Sequence, residues 1–278
     1  MTIEELHVLF LGDIVGPEAA AYVAERMPAL RREHDVDFVV ANAENALRSG
    51  PQIRTGFGMS HEIVDALFQS GVDVITSGNH AWDGDMAEVE RTLAHPRVLR
   101  PANMPPGIPG HGAVRVEMAG QQVTVINLMS TSAVVEAAPR FQRWLDRPLG
   151  VQPLWPSWTA APRTGTVIVD LHGLVVSEKQ AFAHAVAGHA AAVLGTHTHE
   201  ATHHLHLLPQ GTALVTDVGM TGRLGGVTGI DPAHWVTTLQ GGDPATMPPY
   251  ELATGPMSLG AVLLHIRGGR TQSIRRIH

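Results

Sequence analysis

Short apolar runs alternate with helical patterns through the first part of the chain. The runs at 6–11, 38–41 and 72–76 are β-rich and have the length of buried strands. Between them, residues 18–33 and 61–70 carry apolar positions at helical spacing. This order of strand, helix, strand, helix and strand predicts a mainly parallel sheet with helices packed outside it.

The rest of the chain adds a hairpin, an irregular stretch and further strands. Residues 113–118 and 122–128 are separated by Ala119 and Gly120, which indicates a β-hairpin and therefore a mixed sheet system. Residues 137–163 contain several prolines and three of the five tryptophans, and are predicted to form a loop or flap over the body. Residues 219–256 are rich in glycine and proline and show little periodicity. The other predicted elements are strands at 166–171, 191–194, 213–216 and 260–267 and a helix at 178–187.

One domain, covering residues 1–278, is the predicted organisation, because the sequence shows neither a solenoid repeat nor a low-complexity tract. A chain of 278 residues can bury enough apolar surface to fold without a disulfide or a structural metal. The chain has no cysteine, so any metal it binds is held by oxygen and nitrogen. The first apolar run is too short for a signal peptide or a membrane span, and a cytoplasmic location is expected.

Charge and histidine content narrow the functional classes. A formal net charge of −7 excludes a broad basic nucleic-acid surface and favours a small-molecule partner, while a homo-oligomer stays open. Seventeen histidines are many for this length, and neutral imidazole is the commonest protein ligand for transition metals. Position must decide which histidines matter.

Five short motifs place ligand-type side chains directly after apolar runs, where α/β sheets present their binding residues. They are Gly12-Asp13, Asn42-Ala43-Glu44-Asn45, Gly78-Asn79-His80, Asp170-Leu171-His172 and Gly195-Thr196-His197-Thr198-His199. Each motif alone has an ordinary structural explanation, such as a helix cap, a solvated loop or a satisfied buried histidine. Chance would not readily deliver Asp, Glu, Asn and three His to successive strand ends. The combination therefore predicts a metal site.

A second histidine-rich tract follows the last motif. His203, His204 and His206 lie in a run that resumes toward a strand, and they lack a partner carboxylate. We therefore exclude them as a metal site.

In this order the motifs resemble those of calcineurin-like metallophosphoesterases, and more closely those of the YmdB-like bacterial branch. The segments that carry this resemblance are 12–16, 41–46, 77–80, 195–199 and 216–222. The resemblance implies an α/β fold of the four-layer αββα sandwich type, with mixed β-sheets and metals at the strand ends. The sequence departs from the branch at Ser130-Thr131, where Gly-Arg is expected, and at Gly173-Leu174, where Ala-Glu is usual.

The resemblance also implies a ligand set and a pair of divalent or trivalent transition-metal ions. Iron or manganese is favoured, and zinc is compatible with the same ligands. One ion is expected to be held by Asp13, Glu44, Asn45 and His199. Glu44 is expected to bridge to a second ion that is held by Asn79, His172 and His197.

The predicted function is hydrolysis of small cyclic nucleotides, with 2′,3′-cyclic nucleotides favoured, by a hydroxide that bridges the metals. His80 lies beside the ligand Asn79 without being a ligand, so it is the expected proton donor to the leaving oxygen. None of the motifs contributes Arg or Lys, which favours a singly charged diester, and the loop cations Arg48, Arg54 and Arg223 are interpreted as surface residues. Two alternatives stay open: a phosphomonoesterase, and a metal-containing regulatory module that binds a nucleotide or RNA.

Overall fold

Two β-sheets form the centre of the computed structural model, which describes residues 5–47, 57–118, 120–146, 152–243, 246 and 250–278. The strands in these ranges are β1 Glu5–Leu11, β2 Phe38–Asn42, β3 Val74–Thr76, β4 Ala113–Met118, β5 Gln121–Met129, β6 Thr166–His172, β7 Ala192–Thr196, β8 His206–Leu207, β9 Ala213–Val215, β10 Gly222–Arg223, β11 Met257–Ser258, β12 Ala261–Arg267 and β13 Arg270–Ile277. The α-helices are α1 Pro17–Glu33, α2 His61–Ser70, α3 Met86–Leu93, α4 Thr131–Phe141, α5 Leu154–Ala160, α6 Val176–Ala185 and α7 Pro232–Leu239, and a 3-10 turn spans Gln142–Trp144.

Each large sheet contains one block of parallel strands with antiparallel strands beside it. The first has the order β13-β12-β1-β2-β3, in which β1, β2 and β3 are parallel. The second has the order β4-β5-β6-β7-β9-β8, in which β5, β6, β7 and β9 are parallel. The predicted mixed sheets are therefore confirmed. Because the parallel strands of each sheet run in one direction, their carboxyl ends lie along one edge of that sheet.

Alternating side chains on the strands divide the core into layers. Val8 and Phe10 of β1 point between the sheets and join a buried cluster with residues of the second sheet such as Ile168. Leu9 points the other way and packs in a cluster with residues of the covering helices such as Val23 of α1. A third buried cluster joins the outer face of the second sheet to α5 and α6. The order helix, sheet, sheet, helix confirms the predicted four-layer αββα sandwich.

Two segments that the sequence leaves irregular contain helices. The prediction of a flap at 137–163 was wrong in its described part, which holds the end of α4, the 3-10 turn and α5. Ser130 caps α4, and Phe141 packs edge-on against buried Trp82 with ring centroids 5.3 Å apart. Within 219–256, Asp231 caps α7 and Pro232 occupies its first turn. Helix caps and aromatic packing thus stabilise helices in segments whose apolar residues show little helical periodicity.

Strand β13 was not predicted because its sequence is mostly polar. It is an edge strand that pairs with β12, so one side of its backbone has no strand to pair with in the described sheet. Gly268 and Gly269 have φ values of 57° and 72°, which glycine adopts at little cost and which a tight hairpin turn requires.

Candidate metal centre

The side chains of the five motifs meet at the carboxyl ends of parallel strands from both sheets. Asp13 follows β1, and Glu44 follows β2. Asn79 follows β3, His172 is the last residue of β6, and His197 follows β7. All eight predicted site residues are buried or half-buried, and they are Asp13, Glu44, Asn45, Asn79, His80, His172, His197 and His199. The structure therefore brings together every residue that the sequence proposes for the site.

One cluster of ligand atoms surrounds the ring of His172. Its Nε2 atom lies 2.8 Å from Asn79 Oδ1, 3.0 Å from His197 Nδ1 and 3.2 Å from Glu44 Oε1. Ligand atoms of Glu44, His172 and His197 all lie within 4.8 Å of one another. In the described part of the chain, His203, His204 and His206 belong to no such group that includes three potential ligands. They contact one another instead, at ring-centroid distances of 5.0 and 6.0 Å.

A second cluster adjoins the first through Glu44. Asn45 Nδ2 lies 3.0 Å from Glu44 Oε1 and 3.3 Å from His199 Nε2. Asp13 Oδ1 lies 3.9 Å from His199 Nε2 and 3.9 Å from His172 Nδ1. The Glu44 carboxylate therefore lies between the two clusters, and Asp13 Oδ1 is equally far from a histidine of each.

These atoms fit a pair of cations. Asp13 Oδ1 is buried and has no hydrogen-bond partner among the described residues, which is costly for a carboxylate oxygen. Gly78 keeps the centre open, because a Cβ atom there would lie 2.2 Å from His172 Nε2 and 2.3 Å from Glu44 Oε2. Carboxylate, amide and imidazole donors without sulfur are a set that transition metals accept.

The buried acidic and histidine side chains of the site perturb one another's pKa values. Burial, only partly offset by His172, raises the pKa of Asp13 well above its ordinary value. Burial opposes ionisation of Glu44 too, but the charge and hydrogen bond of His172 outweigh it and lower the pKa of Glu44. Burial likewise opposes protonation of His172, yet the charge of Glu44 outweighs it and raises the pKa of His172 to about 9. Burial and the charge on His172 lower the pKa of His197 to about 3.

A family model for YmdB-like proteins matches residues 9–277. The chain belongs to the YmdB-like family. It is 36% identical over 263 residues to a 2′,3′-cyclic-nucleotide 2′-phosphodiesterase of Bacillus subtilis, a match that covers 94% of this chain and 91% of that protein. The family prediction is therefore confirmed.

Solved structures show the same fold as this YmdB-like protein. A novel phosphatase from Mycoplasma pneumoniae superposes with a TM-score of 0.83 at 25% identity, covering 99% of this chain and 94% of that one. The calcineurin-like phosphoesterase YfkN from Bacillus subtilis superposes with a TM-score of 0.54 at 12% identity, covering 98% of this chain and 90% of that one. The fold is that of the calcineurin-like phosphoesterases.

A buried hydrogen-bond chain fixes the ring of His172 in this YmdB-like site. The Thr196 hydroxyl donates to Asp170 Oδ1 at 2.7 Å and can then accept the Nδ1–H of His172 at 2.9 Å. Asp170 Oδ2 accepts two further hydrogen bonds, from Thr76 Oγ1 and Asn42 Nδ2. This chain places the Nε2 lone pair of His172 toward the ligand cluster. Asp170 and Thr196 belong to the strand-end motifs, but the sequence alone does not show that they orient His172.

The loop that carries the last two histidines is held in an unfavourable backbone conformation. His197 and His199 have φ values of 100° and 65°, which cost of the order of 1–3 kcal/mol each. Asp217 Oδ2 accepts the backbone N–H of Thr198 at 2.9 Å, which ties the loop between the two residues. The Nδ1 atom of His199 donates to Thr228 O at 2.9 Å, so its Nε2 lone pair faces Asn45.

A buried lysine that the sequence does not single out lies behind this loop. Lys179 Nζ donates to Thr196 O and Thr216 O, both at 2.8 Å, and lies 3.6 Å from Asp217 Oδ2. Burial lowers its pKa below the ordinary lysine value. Lys179 thus links the carboxyl end of β7, where the loop of His197 and His199 begins, to the carboxyl end of β9.

His80 has a carboxylate partner that orients it. Its Nδ1 atom donates to Asp83 Oδ2 at 2.7 Å, and Asp83 Oδ1 pairs with Arg140 Nε at 2.6 Å. Asp83 Oδ2 also accepts the backbone N–H of Phe57 at 2.8 Å. The other ring nitrogen of His80 is therefore the one that can deliver a proton. Asp83 lies three residues after His80, so its proximity to His80 is a local signal in the sequence that the motif pattern does not include.

The two departures from the family pattern contact each other. A Cβ atom at Gly173 would lie 2.0 Å from Ser130 Oγ and 2.3 Å from Ser130 Cβ. A serine at position 130 therefore requires glycine at position 173. Ser130 also donates its backbone N–H to His172 O at 2.8 Å, so the paired change adjoins a predicted ligand without altering it.

A cleft of about 460 Å³ opens beside both ligand clusters and His80. Its described lining residues are Glu44, Asn45, Phe57, Asn79, His80, Arg140, His197, His199, Thr228, Trp235 and Tyr250. Among these, the cationic side chain is Arg140, whose Nε pairs with Asp83. Arg223 pairs with Glu18 at 2.8 Å instead, and Arg48 and Arg54 lie outside the described residues.

Proposed function

We propose that this protein is a two-metal phosphodiesterase that hydrolyses 2′,3′-cyclic nucleotides in the cleft beside His80. The observation that carries the proposal is the pair of ligand clusters that share Glu44 and lie next to a histidine oriented by a carboxylate. The family and the fold make the chain a phosphoesterase. The relative from Bacillus subtilis is named for the same substrate class.

We assign the ligand roles as the resemblance implies. Asp13, Glu44, Asn45 and His199 would hold one ion, and Glu44, Asn79, His172 and His197 would hold the other. Bound ions of this kind neutralise phosphate oxygens and lower the pKa of the attacking water. Iron or manganese is favoured within this proposal on family resemblance.

The chain's own residues supply the proton and the geometry. When the ester bond to the ribose 2′ oxygen breaks, the developing alkoxide needs a proton, and His80 is placed to donate it from the nitrogen that does not bind Asp83. The Thr196 and Asp170 chain holds the His172 ring, and Lys179 with Asp217 holds the loop of His197. The product is the 3′-monophosphate.

The cleft's sparse positive charge favours the diester over a monoester. Of the described lining residues, Arg140 is cationic, and Asp83 already offsets its charge. A monoester dianion needs more compensating charge than a singly charged diester.

In the described ranges no helix is both long and apolar enough to cross a bilayer. A cytoplasmic location is a separate part of the proposal.

The test compares kcat/KM for 2′,3′-cyclic AMP and 3′-AMP at matched metal loading. We expect the cyclic substrate to be preferred and 3′-AMP to accumulate. Preference for 3′-AMP would replace the diesterase by the phosphatase alternative. Turnover of neither substrate by fully loaded protein would leave the regulatory binding module as the better account.

A further inference from the structure

Three aromatic side chains line the cleft next to the proposed reaction site. Phenylalanine, tryptophan and tyrosine make up 5% of the chain, yet they supply three of the eleven described lining residues, Phe57, Trp235 and Tyr250. The ring centroids of Phe57 and Tyr250 are 5.8 Å apart, and those of Trp235 and Tyr250 are 5.9 Å apart. The rings meet edge to face, and Tyr250 is held by a stacked contact with His234 at a centroid distance of 3.6 Å. We call this cluster of Phe57, Trp235 and Tyr250 the aromatic wall.

The aromatic wall differs from the aromatic pairs that stabilise the core. The pairs Trp82–Phe141 and Trp158–Phe182 have similar centroid distances but are buried. Trp235, in contrast, is 37% exposed. Exposed aromatic surface inside a cleft is characteristic of a ligand site, because a ligand can cover it and release the water that it orders.

The wall begins beside the proposed proton donor. The rings of Phe57 and His80 are 4.5 Å apart between centroids and meet edge to face. A phosphate ester whose leaving oxygen receives a proton from His80 therefore has the rest of its alcohol portion near Phe57. For a cyclic nucleotide, that portion is the ribose and its base.

Hydrogen bonds connect the wall to the ligand clusters. Thr228 O accepts the Nδ1–H of His199, and Asp231, three residues farther along, caps the helix that carries Trp235. Asp231 also donates its backbone N–H to Glu251 O at 2.8 Å, beside Tyr250. These contacts place the start of α7 and the segment that carries Tyr250 beside the loop of His199.

We propose that the aromatic wall is a nucleobase subsite, in which the base of the cyclic nucleotide stacks on the exposed ring of Trp235 and contacts Tyr250 at its edge. The inference rests on the proposed function for the position of the phosphate. Every base has a flat π-face, so stacking binds all four bases and favours the larger purines. The wall is therefore a site for a nucleoside rather than for a generic phosphodiester.

The test compares a nucleotide with a substrate that has the same cyclic phosphate and no base. The substrates are 2′,3′-cyclic AMP and glycerol 1,2-cyclic phosphate, and the variants are Trp235→Ala and Tyr250→Leu. We expect each variant to lose between about 5-fold and 150-fold in kcat/KM for the nucleotide, mainly through KM, with little change for the glycerol compound. Trp155→Ala is the matched control, because Trp155 is 50% exposed and is not among the described lining residues of the cleft. Equal losses on both substrates, or none on the nucleotide, would overturn the proposal.

Binding of adenosine separates this inference from the proposed function. We expect adenosine to quench tryptophan fluorescence of the wild type and of Trp155→Ala, and to have much less effect on Trp235→Ala. If the protein hydrolyses no phosphodiester but this quenching is present, the proposed function fails and the base subsite stands. Absence of Trp235-dependent quenching in a protein that hydrolyses 2′,3′-cyclic AMP would overturn the subsite and leave the proposed function intact.

Discussion

Replacing Thr196 by valine should weaken metal binding without removing any proposed ligand. The change keeps the shape of the side chain and deletes its hydroxyl. That hydroxyl lies 2.7 Å from Asp170 Oδ1 and 2.9 Å from His172 Nδ1, in a fully buried position. Without it, Asp170 Oδ1 loses a donor, and the Nδ1–H of His172 loses its acceptor.

The expected magnitudes follow from these two lost contacts. A buried polar group left without a partner costs about 1–3 kcal/mol, so the free energy of unfolding of the metal-free protein should fall by roughly 2–6 kcal/mol. Loss of the residue that orients a ligating histidine typically weakens metal binding about 10-fold to 100-fold. This loss of affinity is measured on folded protein and is separate from the loss of stability.

The assay is competition with a chelator for the bound metal, combined with urea unfolding of the metal-free protein. Thr271→Val is the matched control, because the buried Thr271 hydroxyl donates to Ala191 O at 2.7 Å, at the end of β7 opposite Thr196. The control should lose stability and keep its metal affinity. Unchanged metal affinity in folded Thr196→Val, or an equal loss in the control, would refute the orienting role.

Two further predictions concern packing and buried charge. Gly173→Ala should lower the urea midpoint of unfolding, because its Cβ would lie 2.0 Å from Ser130 Oγ. Adding Ser130→Gly should restore most of the loss, and failure of this rescue would contradict a coupling between positions 130 and 173. Lys179→Met should lower the free energy of unfolding by about 1–3 kcal/mol for each carbonyl group left without a donor, because it removes the buried hydrogen bonds to Thr196 O and Thr216 O. Burial lowers the pKa of Lys179, so near pH 10 the unfolded chain keeps a proton that the folded protein has released. The stability of the wild type relative to Lys179→Met should therefore rise with pH toward the ordinary lysine pKa of about 10.4, and a constant difference would contradict this linkage.

The site could be proposed from sequence because strand ends converge. Asp13, Glu44 and His197 are far apart in the chain, but each follows a buried apolar run, and parallel strands bring such positions to one edge. The strands β1 and β2 could be predicted because they are apolar runs of strand length, and the helix α2 because its apolar positions have helical spacing. Both inferences use local pattern together with one rule of sheet topology.

The supporting contacts could not be predicted because they depend on three-dimensional packing. Lys179 is a single cation within an otherwise ordinary helix, and its role is visible only from the carbonyl groups of Thr196 and Thr216 around it. Thr196 resembles any strand residue until Asp170 and His172 are seen on either side. Helix α7 begins with a cap residue and a proline, which are local signals for a helix start. The helix is short and is flanked by glycine-rich segments, so apolar periodicity does not predict it.

The most direct test of the two-metal centre measures metal content and phosphodiester hydrolysis on the same preparations of wild type and Glu44→Ala. Glu44 lies between the two ligand clusters, with its Oε1 atom 3.2 Å from His172 Nε2 and 3.0 Å from Asn45 Nδ2. We predict a pair of transition-metal ions per chain in the wild type, and in Glu44→Ala a reduced metal content with loss of hydrolysis. Unchanged metal content and full activity in Glu44→Ala would contradict a centre in which Glu44 joins two ions.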